Sequence, residues 1–174
     1  MALSVFPIAV DPSVRYTNDY GYERPDGRVH QGIDIFADEG TSVLAPDDGQ
    51  VRFGTDPIGG IVYNLTGNDG SRYYGAHLSR VEGSNRAVRA GDIIGYVGRT
   101  GNAASTEPHL HFEVGLPGAG KTNPFPLLNA AERRGAGGGF PWLLALGAAG
   151  AGYWLLRDRQ SGLKALKRLR RRYV

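Results

Sequence analysis

The 174-residue chain contains no cysteine, which excludes a disulfide framework, a thiol nucleophile and thiolate metal ligands, and leaves the redox compartment undecided. It also contains no H-E-x-x-H, so the glutamate base of the helical zinc proteases is missing. No span before Asn129 carries helical periodicity over several turns, which argues against a long-helix architecture. Histidine is scarce, and His30, His77, His109 and His111 are the whole set. Turn formers are plentiful instead. With 27 Gly and 10 Pro the chain suits many tight turns between short strands. At 41% hydrophobic content it is long enough for one well-buried core and short for two, so one domain plus an appendage is expected.

From Val5 to about Val114, short β-runs alternate with turn signals. VLAPDDGQVRFG predicts strand, turn and strand, with Asp48-Gly49 as a hairpin-type turn. IVYNLTGNDGSRYYGAH repeats the arrangement around Asn68-Asp69-Gly70, and AVRAGDIIGYVGRTG continues it with a turn at Gly91-Asp92. HLHFEV alternates like a half-buried strand. The predicted fold is mainly β, with antiparallel sheets forming a groove and the histidines on strand ends or inner strand faces along its floor.

Two segments concentrate metal-binding chemistry: HQGID holds His30 and Asp34 in an H-x-x-x-D spacing, and HLHFEV holds His109 and His111 in H-x-H. A catalytic zinc site takes three protein ligands from His and carboxylate and leaves a position open for water, which the metal acidifies. H-x-x-x-D offers two ligands and H-x-H the third, so one histidine of the pair is left for other work. Residues two apart on a strand share a face, and His109 and His111 therefore look into the same space. Hydrolysis of a peptide bond needs a nucleophile at neutral pH, a Lewis acid on the carbonyl and a proton donor for the leaving amine. Zinc covers the first two, and an imidazole can cover the third. His77, in YYGAHLS, would taken alone be an imidazole hydrogen-bonded in a loop.

These three segments, in this order and with these neighbours, resemble peptidase family M23, the lysostaphin-like or LytM-type zinc endopeptidases that cut peptide cross-links of bacterial cell walls. The likeness covers about Phe6 to Leu127, including the glycine-rich stretches. It implies zinc as the cofactor, with His30, Asp34 and His111 as ligands. It also implies that His77 and His109 are the non-ligand catalytic pair, deprotonating and orienting the water and stabilising the oxyanion. All these positions are filled, whereas inactive regulatory members of the family have usually lost one or more.

Other residues invite a role. Tyr73 and Tyr74 are expected to pack on a strand rather than to serve as substrate platforms. Arg24, six residues before His30, is either a donor to an oxyanion or substrate carboxylate or a solvated loop arginine. Thr106 and Glu107 are expected to shape the loop before H-x-H. Glu113, two residues past His111, is placed to orient a histidine.

The last forty or so residues differ in kind. The domain plan is a peptidase domain over 1–130, a Gly-rich linker over 131–139 containing RRGAGGG, a transmembrane helix over 140–156 and a basic amphipathic tail over 157–174. FPWLLALGAAGAGYWLL has no charge, and its seventeen residues at about 1.5 Å each reach the short limit for crossing a bilayer. A buried core helix is the alternative. Trp142, Tyr153 and Trp154 suit interfacial anchors, and the tail carries eight Lys or Arg against one Asp. That flank predicts a membrane-anchored chain with the catalytic domain on the side opposite the basic C-terminus, and a tail that binds anionic lipid or nucleic acid. The N-terminal MALSVFPIAVDP has no basic n-region and is broken by Pro7, so no signal peptide is expected. A bacteriophage lysin held in a virion membrane accommodates that topology; a bacterial wall-remodelling enzyme facing the periplasm or wall is the rival. Three function classes follow: a zinc endopeptidase acting on peptidoglycan cross-links, a non-catalytic wall-binding or regulatory module, and a structural membrane protein of a virion.

Overall fold

Alternation between apolar and polar residues builds the long strands, and a computed structural model of the chain describes residues 3–9, 12–24 and 27–137. In chain order the strands are β1 (Ile33–Phe36), β2 (Ser42–Leu44), β3 (Gly49–Asp56), β4 (Gly60–Gly67), β5 (Arg72–Leu78), β6 (Arg80–Val81), β7 (Arg86–Val88), β8 (Ile93–Tyr96), β9 (His109–Leu116) and β10 (Gly120–Thr122). A 3-10 turn covers Gly101–Ala103, and helix α1 (Phe125–Gly137) follows the last strand. In β9 the alternation is complete: Leu110, Phe112 and Val114 are at most 1% exposed and face the core, which leaves His109, His111 and Glu113 on the other face. Asn123 Oδ1 accepts the Phe125 N–H at 2.9 Å ahead of α1, and Pro126 sits in the first turn, where a missing N–H costs no helical bond. Leu128 and Ala131 bury the inner side of α1. A fully buried leucine of this kind contributes about 1.5–3 kcal/mol.

The larger sheet has seven strands in the order β1-β9-β5-β4-β3-β7, with β10 extending the far end of β9. All its pairings are antiparallel. The smaller sheet is β2-β8-β6. Its Val43 and Ile94 join Ile33, Ile35, Leu110 and Phe112 of the larger sheet in one apolar cluster. Leu3, Phe6 and Ile8 of the N-terminal segment are buried in the same cluster, and Ile8 bridges to Val43.

One departure from regular pairing shapes the groove. Between Tyr63↔Gly75 and Ile61↔Leu78, β5 carries one residue more than β4, which is a β-bulge. His77 lies in that bulge with φ 67°, the only non-glycine residue at positive φ among the described residues. Strict alternation from Tyr73 and Gly75 would send His77 to the core. The left-handed backbone turns it to the opposite face, where it lines the groove. Gly75 is as constrained: a Cβ there would lie 2.1 Å from Cε1 of the buried Tyr63 ring.

The expectation of antiparallel β-sheets enclosing a groove holds, and so do the turns at Asn68-Asp69-Gly70 and Gly91-Asp92. The Asp48-Gly49 turn does not make a hairpin. β2 pairs with β8 and β3 with β4 and β7, so the turn carries the chain from one sheet to the other. Helix α1 begins four residues before Asn129 and runs through Gly137, into the stretch expected to be linker. The Asn123 bond at its start and the burial of Leu128 and Ala131 anchor its first two turns. The compact unit that holds the sheets ends at Arg134. The C-terminal hydrophobic helix expected over 140–156 and the basic tail lie outside the described residues. Among the described residues no helix is long and apolar enough to cross a membrane.

Candidate metal centre and active groove

Pairing of β1 with β9 sets Asp34 opposite His111. His30 precedes β1 in a segment tied down by its own backbone: its N–H donates to Tyr22 O, and its carbonyl accepts from Gly21 N–H. Gly32 lets this segment lie against β9, since a Cβ there would meet Phe112 O at 2.5 Å and His111 Cε1 at 2.8 Å. Three donor atoms converge as a result. His30 Nε2 is 2.9 Å from His111 Nδ1 and 3.1 Å from Asp34 Oδ1, and His111 Nδ1 is 3.0 Å from Asp34 Oδ1. Among the described residues this is the one such cluster with metal-ligand donors.

The donor set fits zinc. Bonds of about 2.0–2.1 Å at tetrahedral angles place neighbouring donors roughly 3.3 Å apart, close to this triangle. Two imidazoles, one carboxylate and no thiolate are the donors of a catalytic rather than a closed structural site. The nitrogen that each ligand histidine keeps free of the triangle is also held. His30 Nδ1 lies 2.9 Å from Asp19 O, and His111 Nε2 lies 3.1 Å from Glu113 Oε1. Lys121 Nζ in turn lies 2.7 Å from Glu113 Oε2. Arg24 donates to the outer oxygen of Asp34 at 2.6 Å.

Electrostatics follow from these contacts. Burial alone would depress His30, but hydrogen bonds to Asp19 and Asp34 and the Asp34 charge outweigh it and raise its pKa to about 9. Burial works against ionised Asp34, yet His111 and His30 hold its carboxyl far below the usual range. His111 is likewise raised despite its burial, through Asp34 and Glu113. Glu113 is lowered despite its burial, by His111 and Lys121. The metal-free site therefore holds protons that a cation would displace.

His77 and His109 stand beside the triangle with ring centroids 4.9 Å apart, and the His77 ring is 6.2 Å from that of His111. Each donates an Nδ1–H to a backbone carbonyl: His77 to Thr100 O at 2.9 Å, His109 to Glu107 O at 2.8 Å. Only the donor tautomer satisfies a carbonyl, so Nε2 of each is left for the groove. Burial, with help from His109 and His111, pushes His77 down to about 4 against its Thr100 bond, so it is neutral at ordinary pH. Both histidines and all three triangle residues line one open groove of about 1720 Å³.

The structure thus brings all five expected residues together: His30, Asp34 and His111 as the converging donors, His77 and His109 next to them. Glu113 orients His111, as its position suggested. Tyr73 packs in the core. Tyr74 instead lines the groove and donates to Asp56 Oδ2 at 2.9 Å. Arg24 is engaged with Asp34, and Glu107 shapes its loop by accepting from His109. Asp19, Thr100 and Lys121 escaped sequence reasoning. Thr100 acts through its backbone carbonyl, which leaves no residue-type signal; Asp19 meets His30 Nδ1 through both its carbonyl and its carboxylate from a loop eleven residues away, and Lys121 reaches the site only through the pairing of β10 with β9.

A β-sheet groove floored by a His-Asp-His triangle with two further imidazoles defines a metallopeptidase-type domain. The family model Peptidase family M23 matches residues 28–124, more than half of the chain, and the chain belongs to that family. The DD-carboxypeptidase/endopeptidase Mpg of Neisseria meningitidis serogroup B is 36% identical over 116 residues, covering 63% of this chain and 26% of the relative. The L-Ala--D-Glu endopeptidase of Bacillus subtilis is 32% identical over 143 residues, 74% of this chain and 44% of the relative. Among solved structures, the catalytic domain of the antimicrobial peptidase lysostaphin from Staphylococcus simulans has 34% identity and a TM-score of 0.58 over 67% of this chain and 92% of that one. The chain spans about a quarter of the length of the first curated relatives it matches.

Proposed function

We propose that the chain is a zinc-dependent endopeptidase that hydrolyses peptide cross-links of bacterial peptidoglycan. The observation that carries this reading is the 2.9–3.1 Å triangle of His30, Asp34 and His111 on a groove floor that also presents two further imidazoles. Zinc held by these three residues would supply a Lewis acid for the scissile carbonyl and make water acidic enough to attack at neutral pH. His77 and His109 are the catalytic residues. With Nδ1–H locked on Thr100 and Glu107, each offers Nε2 to take a proton from the attacking water or return one to the leaving amine. Neutral His77 starts as an acceptor. Protonated, either ring would donate to the developing oxyanion. Glu113 and Asp19 hold the two ligand histidines in position, and the groove orients an extended peptide over the site.

The wall-peptide substrate is supported by relatives named as a DD-carboxypeptidase/endopeptidase, a glycyl-glycine endopeptidase and an L-Ala--D-Glu endopeptidase. The chain is further proposed to be a lysin anchored through 140–156 in a virion membrane or a bacterial inner membrane, with the catalytic domain on the side opposite the basic tail. Support for this part is sequence alone: the uncharged run, its aromatic ends and its cationic flank. A version ending near Gly137 that is active in plain buffer, beside a full chain that partitions with lipid, is the expected outcome; a full chain that stays monomeric in buffer without detergent rejects the anchor.

The hydrolase reading is tested with purified chain and defined cross-linked muropeptides, with and without chelator, followed by mass analysis. Cleaved monomers that disappear with chelator and return with zinc support it. Tight binding without cleavage at any metal level rejects it in favour of a wall-binding module.

A further inference from the structure

The groove floor continues past the metal triangle as a ladder of cross-strand rows. On β5, Ala76, Tyr74 and Arg72 share a face, and they pair in turn with His111, Glu113 and Gly115 on β9. On the other side of β9, Lys121 of β10 pairs with the same Gly115. The third row therefore reads Arg72, Gly115, Lys121, with a glycine between two cations. A Cβ at Gly115 would make only ordinary contacts, Arg72 Cβ at 3.6 Å being the nearest, so the floor there is open. All three residues line the groove.

The charges of this groove are unevenly committed. Asp34 is engaged by Arg24 and the two ligand histidines, and Glu113 by His111 and Lys121. Asp56 accepts from Tyr74 Oη and from the N–H groups of Ile58 and Gly59. Lys121 spends two of its three donors on Glu113 and Gln31, which leaves one. Arg72 is exposed, and among the described residues its side chain has no hydrogen-bond or ion-pair partner. No acid in the groove is free to answer it.

We propose that the Arg72, Gly115, Lys121 row is a carboxylate-binding subsite, and that the chain acts on acidic wall peptides bearing free carboxylates in preference to uncharged bridges such as oligoglycine. This rests on the peptidase reading of the groove. Arg72 supplies the planar fork that takes a carboxylate through two N–H donors, Lys121 adds a third, and Gly115 leaves room for the anion between them. Gly115 is four positions on from His111, about 13 Å along the strand, so the carboxylate lies roughly four extended residues from the bond over the triangle.

The test is equilibrium binding of the full chain to two muropeptide dimers that differ only in having their stem-peptide carboxylates free or amidated. The expected result is about tenfold or more tighter binding of the free-acid form, lost in Arg72→Gln, with zinc content and melting temperature unchanged. Equal affinity of the wild-type chain for the two dimers overturns the subsite without recourse to any variant, and so does a preference that survives Arg72→Gln. Turnover of the same dimers reports separately on the hydrolase reading. Preference without cleavage rejects catalysis and keeps the subsite, whereas cleavage without preference does the reverse.

Discussion

His30 Nε2 lies 2.9 Å from His111 Nδ1 although 81 residues separate them in the chain. Two ring nitrogens meet at that distance because Asp34 stands between them at 3.0–3.1 Å, paired across β1 and β9 with His111 and four residues on from His30. The fold thereby gathers three metal-ligand donor atoms from two distant parts of the chain into one place.

A pH dependence of the metal-free chain follows. His30 is raised from about 6.5 to about 9 by its acidic partners, so the stabilisation it provides is fully present below the unfolded value and is lost as pH rises through about 9. Chelator-treated chain should lose roughly 1–3 kcal/mol of stability between pH 6 and pH 10, as followed by thermal melts. The same melts on His30→Gln should be flatter. A metal-free chain that gains stability across this window contradicts the assignment. In zinc-loaded chain the sign reverses, since ligands must be deprotonated, and acidification releases the metal.

Glu113→Ala should leave the fold intact and weaken zinc binding by roughly 10–100-fold, because His111 loses the acceptor that fixes its ring. Competition with a chromogenic chelator measures this. Unchanged affinity would mean that the packing of β9 alone orients the imidazole.

Gly75→Ala should destabilise the domain by about 2 kcal/mol or more, since the new methyl would enter the buried Tyr63 ring and neither central strand can yield. Urea denaturation checks it. A loss below about 0.5 kcal/mol would show that the bulge after Gly75 absorbs the strain.

Much of this site is legible in the amino-acid order. H-x-x-x-D and H-x-H bring their own chemistry, and the period of two in HLHFEV puts His109, His111 and Glu113 on one face before any sheet is known. His77 shows where such reading stops. Its face is set by a bulge and a positive φ, and parity counted from Tyr73 gives the wrong answer. The Asp48-Gly49 turn fails for a different reason: a turn signal marks where the chain bends, and whether the flanking strands then pair with each other is decided by partners such as β8 that lie far along the sequence. Helix α1 is short, and its Pro and Gly residues mask the periodicity that Leu128 and Ala131 follow once packed.

The most direct test of the account measures zinc content and muropeptide turnover side by side in the wild type and in His30→Ala, Asp34→Ala, His111→Ala, His77→Ala and His109→Ala. The expected pattern is a split: about one zinc per wild-type chain, metal and activity lost together in the first three variants, and metal retained with turnover down by roughly a hundredfold or more in the last two. A His77→Ala chain as metal-free as His111→Ala, or a His109→Ala chain with wild-type turnover, would contradict it.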